Sequence, residues 1–322
     1  MSSAMPHVYT GQYVDPAQFK RKWLDVPYAT ASPSQKLDIY LPDEGEGPFP
    51  VVVLVHGGGW CSGDKRSVTM LPAFKLPSQG YALVSVEWRF GQEEPVPAMI
   101  HDAKAAIRFI RAHQEQYLLD GNKVAIWGNS SGGYIANMVA ATGWCTGLIE
   151  DLSLGWEDQH SEVQALVSWY AVTDMFQEDL CCPLSEEEGL RYVEPGALDQ
   201  VLSTGLPSMQ AVGMGFVPRK NYEQSMAMSP VCYVESNFPP ALFQHGMADP
   251  IVPFTQSVAM VRLVNDAAGE QRAKLDLFDG AVHGDPVIKS DENLVRVLQF
   301  LDEVLLGKVR PHENLGSVGI LE

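Results

Sequence analysis

Ser130 sits at the centre of Gly128-Asn129-Ser130-Ser131-Gly132, between a strand-like run, Lys123 to Trp127, and a helix-like run from Gly133. That setting is what makes the serine a candidate nucleophile. A chain passing directly from strand to helix reverses so sharply that a side chain two residues before or after the serine would collide, so glycine is needed there. The turn would lift the serine oxygen clear of a sheet, within reach of a substrate carbonyl. A plain Gly/Ser loop would match the pentapeptide equally well, so the flanking elements carry the argument. A second glycine cluster, His56-Gly57-Gly58-Gly59-Trp60, follows the apolar run Val51 to Val55. Such a run suits a buried parallel strand. Three glycines after it leave backbone N–H groups uncovered, and those donors can face an oxyanion forming on an acyl carbon. A phosphate-cradling loop is the competing use. It is disfavoured because neither a downstream Gly-Lys-Ser/Thr nor G-x-G-x-x-G spacing is present.

With these motifs the chain resembles the α/β-hydrolase fold. Within it, the chain is similar to esterases with an H-G-G-G motif, the hormone-sensitive-lipase-like group, and to the compact carboxylesterases that include feruloyl and acetyl-xylan esterases. The resemblance covers residues 36–306. Besides the two motifs above it rests on Gly63-Asp64-Lys65, Trp88-Arg89 followed by Pro97-Ala98, His245-Gly246 with Asp249 and Val252-Pro253, and Gly280-Ala281-Val282-His283-Gly284. Trp88 stands where such enzymes usually carry tyrosine, a departure without catalytic consequence.

The resemblance implies a base and an orienting carboxylate that follow the serine in the order Ser, Asp/Glu, His. Only His283 and His312 lie beyond the candidate acid Asp249. His283 follows the strand-like Lys274 to Phe278 across a short loop and is the expected base. His312 lies in a polar tail and is expected to be solvated. Asp249 follows the strand-like Ala241 to Gln244, at the strand's carboxyl end where catalytic groups gather in open α/β sheets. Asp174, after Ala165 to Val172, is its rival; either could instead be a loop-capping aspartate. His56 and His245 each end a buried strand and are expected to be structural. The implied activity is serine carboxylic-ester hydrolysis on a small-molecule ester, with the amides of Gly58, Gly59 and Ser131 as oxyanion donors and no metal or cofactor. Trp60 is either a wall of the pocket or ordinary packing. An amidase or peptidase of the arylformamidase or prolyl-peptidase kind, and a ligand-binding member without catalysis, are the alternatives.

The elements that must position these residues alternate. Strands are expected at 37–41, 51–55, 81–88, 123–127, 165–172, 241–245 and 274–278, and helices at 97–117, 133–142, 254–268 and 292–306. On the first helix Ile100, Ala103, Ile107 and Ile110 share one face. Alternation of this kind implies a mainly parallel sheet covered by helices on both faces, here one domain over residues 1–322. Residues 176–228 break the pattern with Cys181-Cys182, Glu186-Glu187-Glu188 and several Gly and Pro breaks. A plain loop of that length is unusual inside a compact domain. It is expected to be an inserted cap over the serine, with Met214 and Phe216 as candidate substrate contacts. A lateral decoration or an oligomer contact is the alternative. The first thirty residues and the tail after Leu306 are left unassigned, and either could pack on a second copy in a homodimer.

Composition bounds the rest. The chain has 322 residues, 46% hydrophobic and 19% charged, enough for one large α/β domain. Its longest apolar runs are far short of the roughly 18 residues a membrane span requires. Met1 to Thr10 shows no basic stretch leading into a hydrophobic one, so no export signal is expected and the reading is cytoplasmic. Five cysteines, an odd number without zinc-site spacing, read as reduced thiols. A net charge of −18 repels nucleic acid and anionic membranes, and favours neutral esters as substrates.

Overall fold

The apolar β-branched runs become strands, because branched side chains pack well on a pleated, buried surface. In the computed structural model, which describes residues 11–181, 195–312 and 315–321, the strands are β1 (Tyr13–Val14), β2 (Lys22–Pro27), β3 (Lys36–Tyr40), β4 (Phe49–Val55) and β5 (Ala82–Val86). They continue with β6 (Leu119–Asn129), β7 (Ala165–Trp169), β8 (Ala241–Gly246), β9 (Ala273–Phe278) and β10 (Ile320–Leu321). Eight of them form one sheet in the order β2-β3-β5-β4-β6-β7-β8-β9. The pairs β2/β3 and β3/β5 are antiparallel and all the others parallel.

The period of two along a strand sorts side chains to opposite faces. Val51, Val53 and Val55 of β4 enter one core with α1 (Ala98–Ala112), α2 (Ser130–Thr142) and Met260 and Val264 of the later helix Thr255–Ala268. Val52 and Leu54 enter a second core with Phe74, Leu76 and Leu294, Val297 and Leu301 of the last helix, Asp291–Leu306. The sheet is therefore covered on both faces.

Several boundaries differ from the sequence expectation, each for a local reason. The helix expected from residue 133 starts at Ser130 itself, so the elbow serine opens α2. The strand expected over 165–172 stops at Trp169 because Tyr170 turns with φ +37°. The helix expected over 97–117 ends at Ala112, and Leu118, at φ +55°, redirects the chain into β6.

The described parts of the unassigned termini make contacts within this same chain. β1 pairs antiparallel with β10, and β2 adds a half-exposed edge to the sheet. His312, expected to be solvated, is instead buried: its side chain is 2% exposed and its Nε2 lies 2.9 Å from the fully buried Asp302. Arg310 and the Tyr81 hydroxyl bond the same carboxylate, so the tail is anchored by one buried acid.

Over residues 176–228 the described α-helices are α3 (Met175–Cys181), α4 (Pro195–Ser203), α5 (Met209–Met214) and α6 (Tyr222–Ala227), with turns among the described residues between them. Phe176 and Tyr222 meet edge to face, 4.9 Å between centroids, tying α3 to α6. Cys181 is an exposed free thiol, while Cys182 and Glu186 to Glu188 lie outside the described residues, as does the stretch Met1 to Thr10. The later helices are α7 (Thr255–Ala268) and α8 (Asp291–Leu306).

Candidate active site

Ser130 holds φ +52°, a conformation L-residues rarely adopt. Its two flanking glycines are required by contact. A Cβ at Gly128 would lie 2.3 Å from the Gly132 carbonyl oxygen, and one at Gly132 would lie 2.2 Å from that of His56. The elbow is thus wedged against the end of β4, and strain at this one residue is sustained by backbone packed on both sides.

The structure brings three of the expected residues together from three strand ends. Ser130 Oγ lies 3.0 Å from His283 Nε2, and His283 Nδ1 lies 2.7 Å from Asp249 Oδ2. His283 is 4% exposed, and the Asp249 side chain is fully buried. Asp249 Oδ1 accepts from the amides of Ile251 and Val252 at 2.8 and 3.0 Å. Burial alone would raise this carboxyl, but the charge and hydrogen bond of His283, with a further bond from His245, hold it well below the usual carboxylate range. Gly246 permits the arrangement. A Cβ there would meet the Ala281 oxygen at 2.3 Å, and the amide of Ala248 bonds that same oxygen at 2.9 Å. The loop carrying Asp249 and the loop carrying His283 are therefore stitched together.

Asp174, the rival acid, does other work. Its Oδ1 accepts the amide of Gln177 at 2.9 Å and caps α3.

The glycine loop after β4 lies directly beside the serine: a Cβ on Gly57 would be 3.1 Å from Ser130 Cβ. The Gly57 amide is taken by Asn129 Oδ1 at 2.8 Å. The amides of Gly58, Gly59 and Ser131 donate to no acceptor among the described residues. Ser131 lies in the first turn of α2, where backbone N–H groups have no intrahelical partner and the helix end favours negative charge. Gly58 and Gly59 follow Gly57 in this loop and Ser131 follows Ser130, so donors free among the described residues adjoin the serine. The loop is held from behind, since Gly91 N bonds Trp60 O and Gln92 Nε2 bonds Cys61 O. The segment carrying Gly91 and Gln92 is itself fixed by the buried pair of Arg89 and Asp102, which explains the Trp88-Arg89 motif in structural terms.

His56 stays away from the chemistry. It bonds Glu87 Oε1 and the Gly57 oxygen, both at 2.8 Å, and stacks on Trp88.

Trp60 is 3% exposed; its ring meets Tyr134 edge to face at 5.7 Å, with Gly213 of α5 close against it. Met214 is 2% exposed, in the core shared with α1 and α2, and Phe216 packs partly buried against that core. The residue of α5 that meets the glycine loop is Met209, whose Sδ would sit 2.4 Å from a Cβ on Gly59.

Three neighbours escaped the sequence reading. Asn129 joins the glycine loop to Tyr170, whose hydroxyl accepts from Asn129 Nδ2 at 3.3 Å. Tyr170 in turn presents its ring edge to face with His283, 4.6 Å between centroids. Their signals were position alone: one inside the serine motif, one at a strand's carboxyl end.

The third is Glu178 on α3, 1% exposed. Its Oε1 accepts from Gln210 Nε2 of α5 at 2.9 Å, and its Oε2 has no partner among the described residues. Burial pushes the carboxyl up to about 8, opposed by the Gln210 bond and reinforced by the charges of Asp179 and Asp249. The native protein therefore keeps a proton that the unfolded chain releases near 4.5. Stability should fall as pH climbs from there towards 8, at up to about 1.4 kcal/mol per pH unit. Glu178→Gln is expected to remove that slope, so its thermal midpoint should gain on the wild type steadily between pH 5 and 8. A difference that stays constant across that range would mean Glu178 is ionised in the folded state.

No helix among the described residues is long and apolar enough to cross a membrane. Among those residues no three His, Cys, Asp or Glu side chains are grouped to hold a metal ion.

Comparison with known proteins gives a consistent picture. Residues 37–263 match the BD-FAE family. The chain is 26% identical to the probable carboxylic ester hydrolase LipM of Mycobacterium tuberculosis, over 87% of this chain and 61% of that protein. It is 29% identical to esterase LipQ of the same organism, over 76% and 52%. The chain thus spans about half to three fifths of the length of these curated relatives. Among solved structures, a truncated carbohydrate esterase from gut microbiota superposes with a TM-score of 0.75 at 25% identity, covering 91% of this chain and 99% of that one. A Thermogutta terrifontis esterase with bound butyrate gives 0.68 at 21% identity, covering 92% and 98%. The architecture is the α/β-hydrolase fold.

Proposed function

Since the chain belongs to the BD-FAE family, we propose that it is a serine carboxylic-ester hydrolase working through an acyl-enzyme. The observation that carries the reading is the relay from Ser130 through His283 to Asp249, at 3.0 and 2.7 Å, beside a loop of free backbone amides. Ser130 Oγ attacks the acyl carbonyl while His283 Nε2 takes its proton. Asp249 fixes the Nδ1–H tautomer and offsets the imidazolium charge. The amides of Gly58, Gly59 and Ser131 receive the oxyanion. The alcohol leaves with the proton from His283, and water, deprotonated by the same base, releases the acid. No step calls on a metal.

The substrate we infer is a small neutral ester. A net charge of −18 disfavours polyanions, and a structural neighbour carries the name carbohydrate esterase, which makes an acylated carbohydrate alcohol a natural candidate. The helices over 176–228 act, in this reading, as a cap within a single domain, because Met209 and Gly213 of α5 press on Gly59 and Trp60. We assign substrate contact to Met209 ahead of Met214 and Phe216.

The test is hydrolysis of 4-nitrophenyl esters of two to eight carbons, with matched anilides alongside and peptide mapping after fluorophosphonate treatment. Expected are ester rates well above anilide rates, unchanged by EDTA, and a single adduct on Ser130. Turnover of the anilides alone would move the reading to an amidase. Absence of both turnover and adduct would leave a binding protein.

A further inference from the structure

His245 ends β8, is fully buried, and has both ring nitrogens engaged. Its Nδ1 lies 2.8 Å from Ser257 Oγ on α7. Its Nε2 lies 3.0 Å from the Val252 carbonyl oxygen and 3.2 Å from Asp249 Oδ2. A carbonyl and a carboxylate can only accept, so Nε2 must carry a hydrogen, and the Ser257 hydroxyl is free to donate to Nδ1. The tautomer follows from the partners. Asp249 Oδ2 thereby faces two imidazoles, His283 and His245, while Oδ1 takes two backbone amides. Tyr170 presents its ring edge on to His245 as well as to His283, at 6.5 and 4.6 Å.

We propose that His245 is a positioning residue for the acid of the triad: its Nε2–H holds Asp249 Oδ2 in the orientation that meets His283 Nδ1, and Ser257 holds His245 in turn. The inference rests on the esterase reading above. Without the Nε2–H, the carboxylate keeps its backbone donors on Oδ1 and loses one of two constraints on Oδ2, so it can rotate away from His283. A displacement of about 1 Å in a catalytic group is enough to lower turnover by about 100-fold. The same loss leaves the carboxylate with one donor fewer, which makes it easier to protonate. Since His245 touches no substrate, KM should change little.

Side-chain length provides the test. Glutamine carries its terminal nitrogen about where imidazole Nε2 lies and can still donate to Asp249. Asparagine reaches only as far as Nδ1 and keeps the Ser257 side alone. His245→Asn is expected to lower kcat about 10- to 100-fold with KM within about threefold. His245→Gln is expected to stay within about threefold of wild type in both. Equal losses in the two variants, a loss carried mainly by KM, or an Asn variant with wild-type kcat would reduce His245 to a packing residue. Should the variants fail to fold, nitrogen NMR of the histidine-labelled wild type decides. An Nε2–H at residue 245 supports the proposal, and an Nδ1–H with bare Nε2 overturns it. A wild type without esterase activity would defeat the functional reading while the tautomer still reported on His245.

Discussion

Replacing Ser130 with alanine is expected to lower kcat on a simple ester by about 10⁶, the scale observed when a triad nucleophile is removed. Alanine keeps the Cβ, and therefore keeps whatever strain the φ of +52° imposes, so the elbow should survive and the folded protein should have a near-native thermal midpoint. What disappears is the only oxygen within 3.0 Å of His283 Nε2 among the described hydrogen bonds. Residual hydrolysis would come from the oxyanion amides and from binding. Ser131→Ala is the matched control, because the amide of Ser131 is invoked and its buried hydroxyl, which has no partner among the described residues, is not. The pair is read by kcat on 4-nitrophenyl acetate with circular dichroism on both proteins. A folded Ser130→Ala protein that keeps a tenth of wild-type turnover would disqualify Ser130 as nucleophile.

What could be read from sequence here follows from how local the information is. Ser130 announced itself because its glycines are within two residues and their purpose is a single backbone turn. The β4 run could be read because five consecutive buried residues need no partner to be recognised as strand. β2 could not, since Lys22–Pro27 alternates half-buried and exposed positions at a sheet edge and mixes Trp23, Leu24 and Val26 with Lys22, Asp25 and Pro27. The pairing of Tyr13–Val14 with Ile320–Leu321 spans almost the whole chain and involves two residues on each side. Nothing local encodes it. His312 looked like tail because its partner, Asp302, is a buried charge on the preceding helix that only the folded structure brings opposite Arg310, Tyr81 and His312 at once. The same limit applied at the site. Ser130, Asp249 and His283 could be picked out by residue type and order within their motifs, whereas the contacts made by Asn129, Tyr170 and His245 depend on whom the fold brings beside them. Which residue of α5 lies beside Gly59 was likewise not legible: Met209 and Met214 are methionines on one short helix, and only tertiary packing sets Met209 against the glycine loop.

Asp249→Asn is expected to lower kcat by about 10³ to 10⁴, and the surroundings of the carboxylate explain why so small a change matters. Every group facing it is a donor: His283 Nδ1 and His245 Nε2 at Oδ2, and the Ile251 and Val252 amides at Oδ1. An asparagine must turn its NH₂ towards one of these pairs. Turned to the histidines, it drives the hydrogen of His283 from Nδ1 to Nε2, where it faces Ser130 and blocks proton acceptance. Turned to the backbone, it confronts two N–H groups in a buried loop and loosens the acid loop itself. The negative charge that offsets the imidazolium is lost either way. Because the native carboxyl is held below its ordinary value, its charge stabilises the wild type above about pH 4, and that contribution fades as pH falls further. The Asn variant should therefore be less stable than wild type at pH 7, with the gap narrowing in acid. Asp174→Asn is the comparison. It exchanges one good helix cap for another above Gln177, so its kcat should stay within about twofold of wild type. Steady-state kinetics on the two purified variants decides the matter, and a large loss in Asp174→Asn beside a small one in Asp249→Asn would transfer the acid role to Asp174.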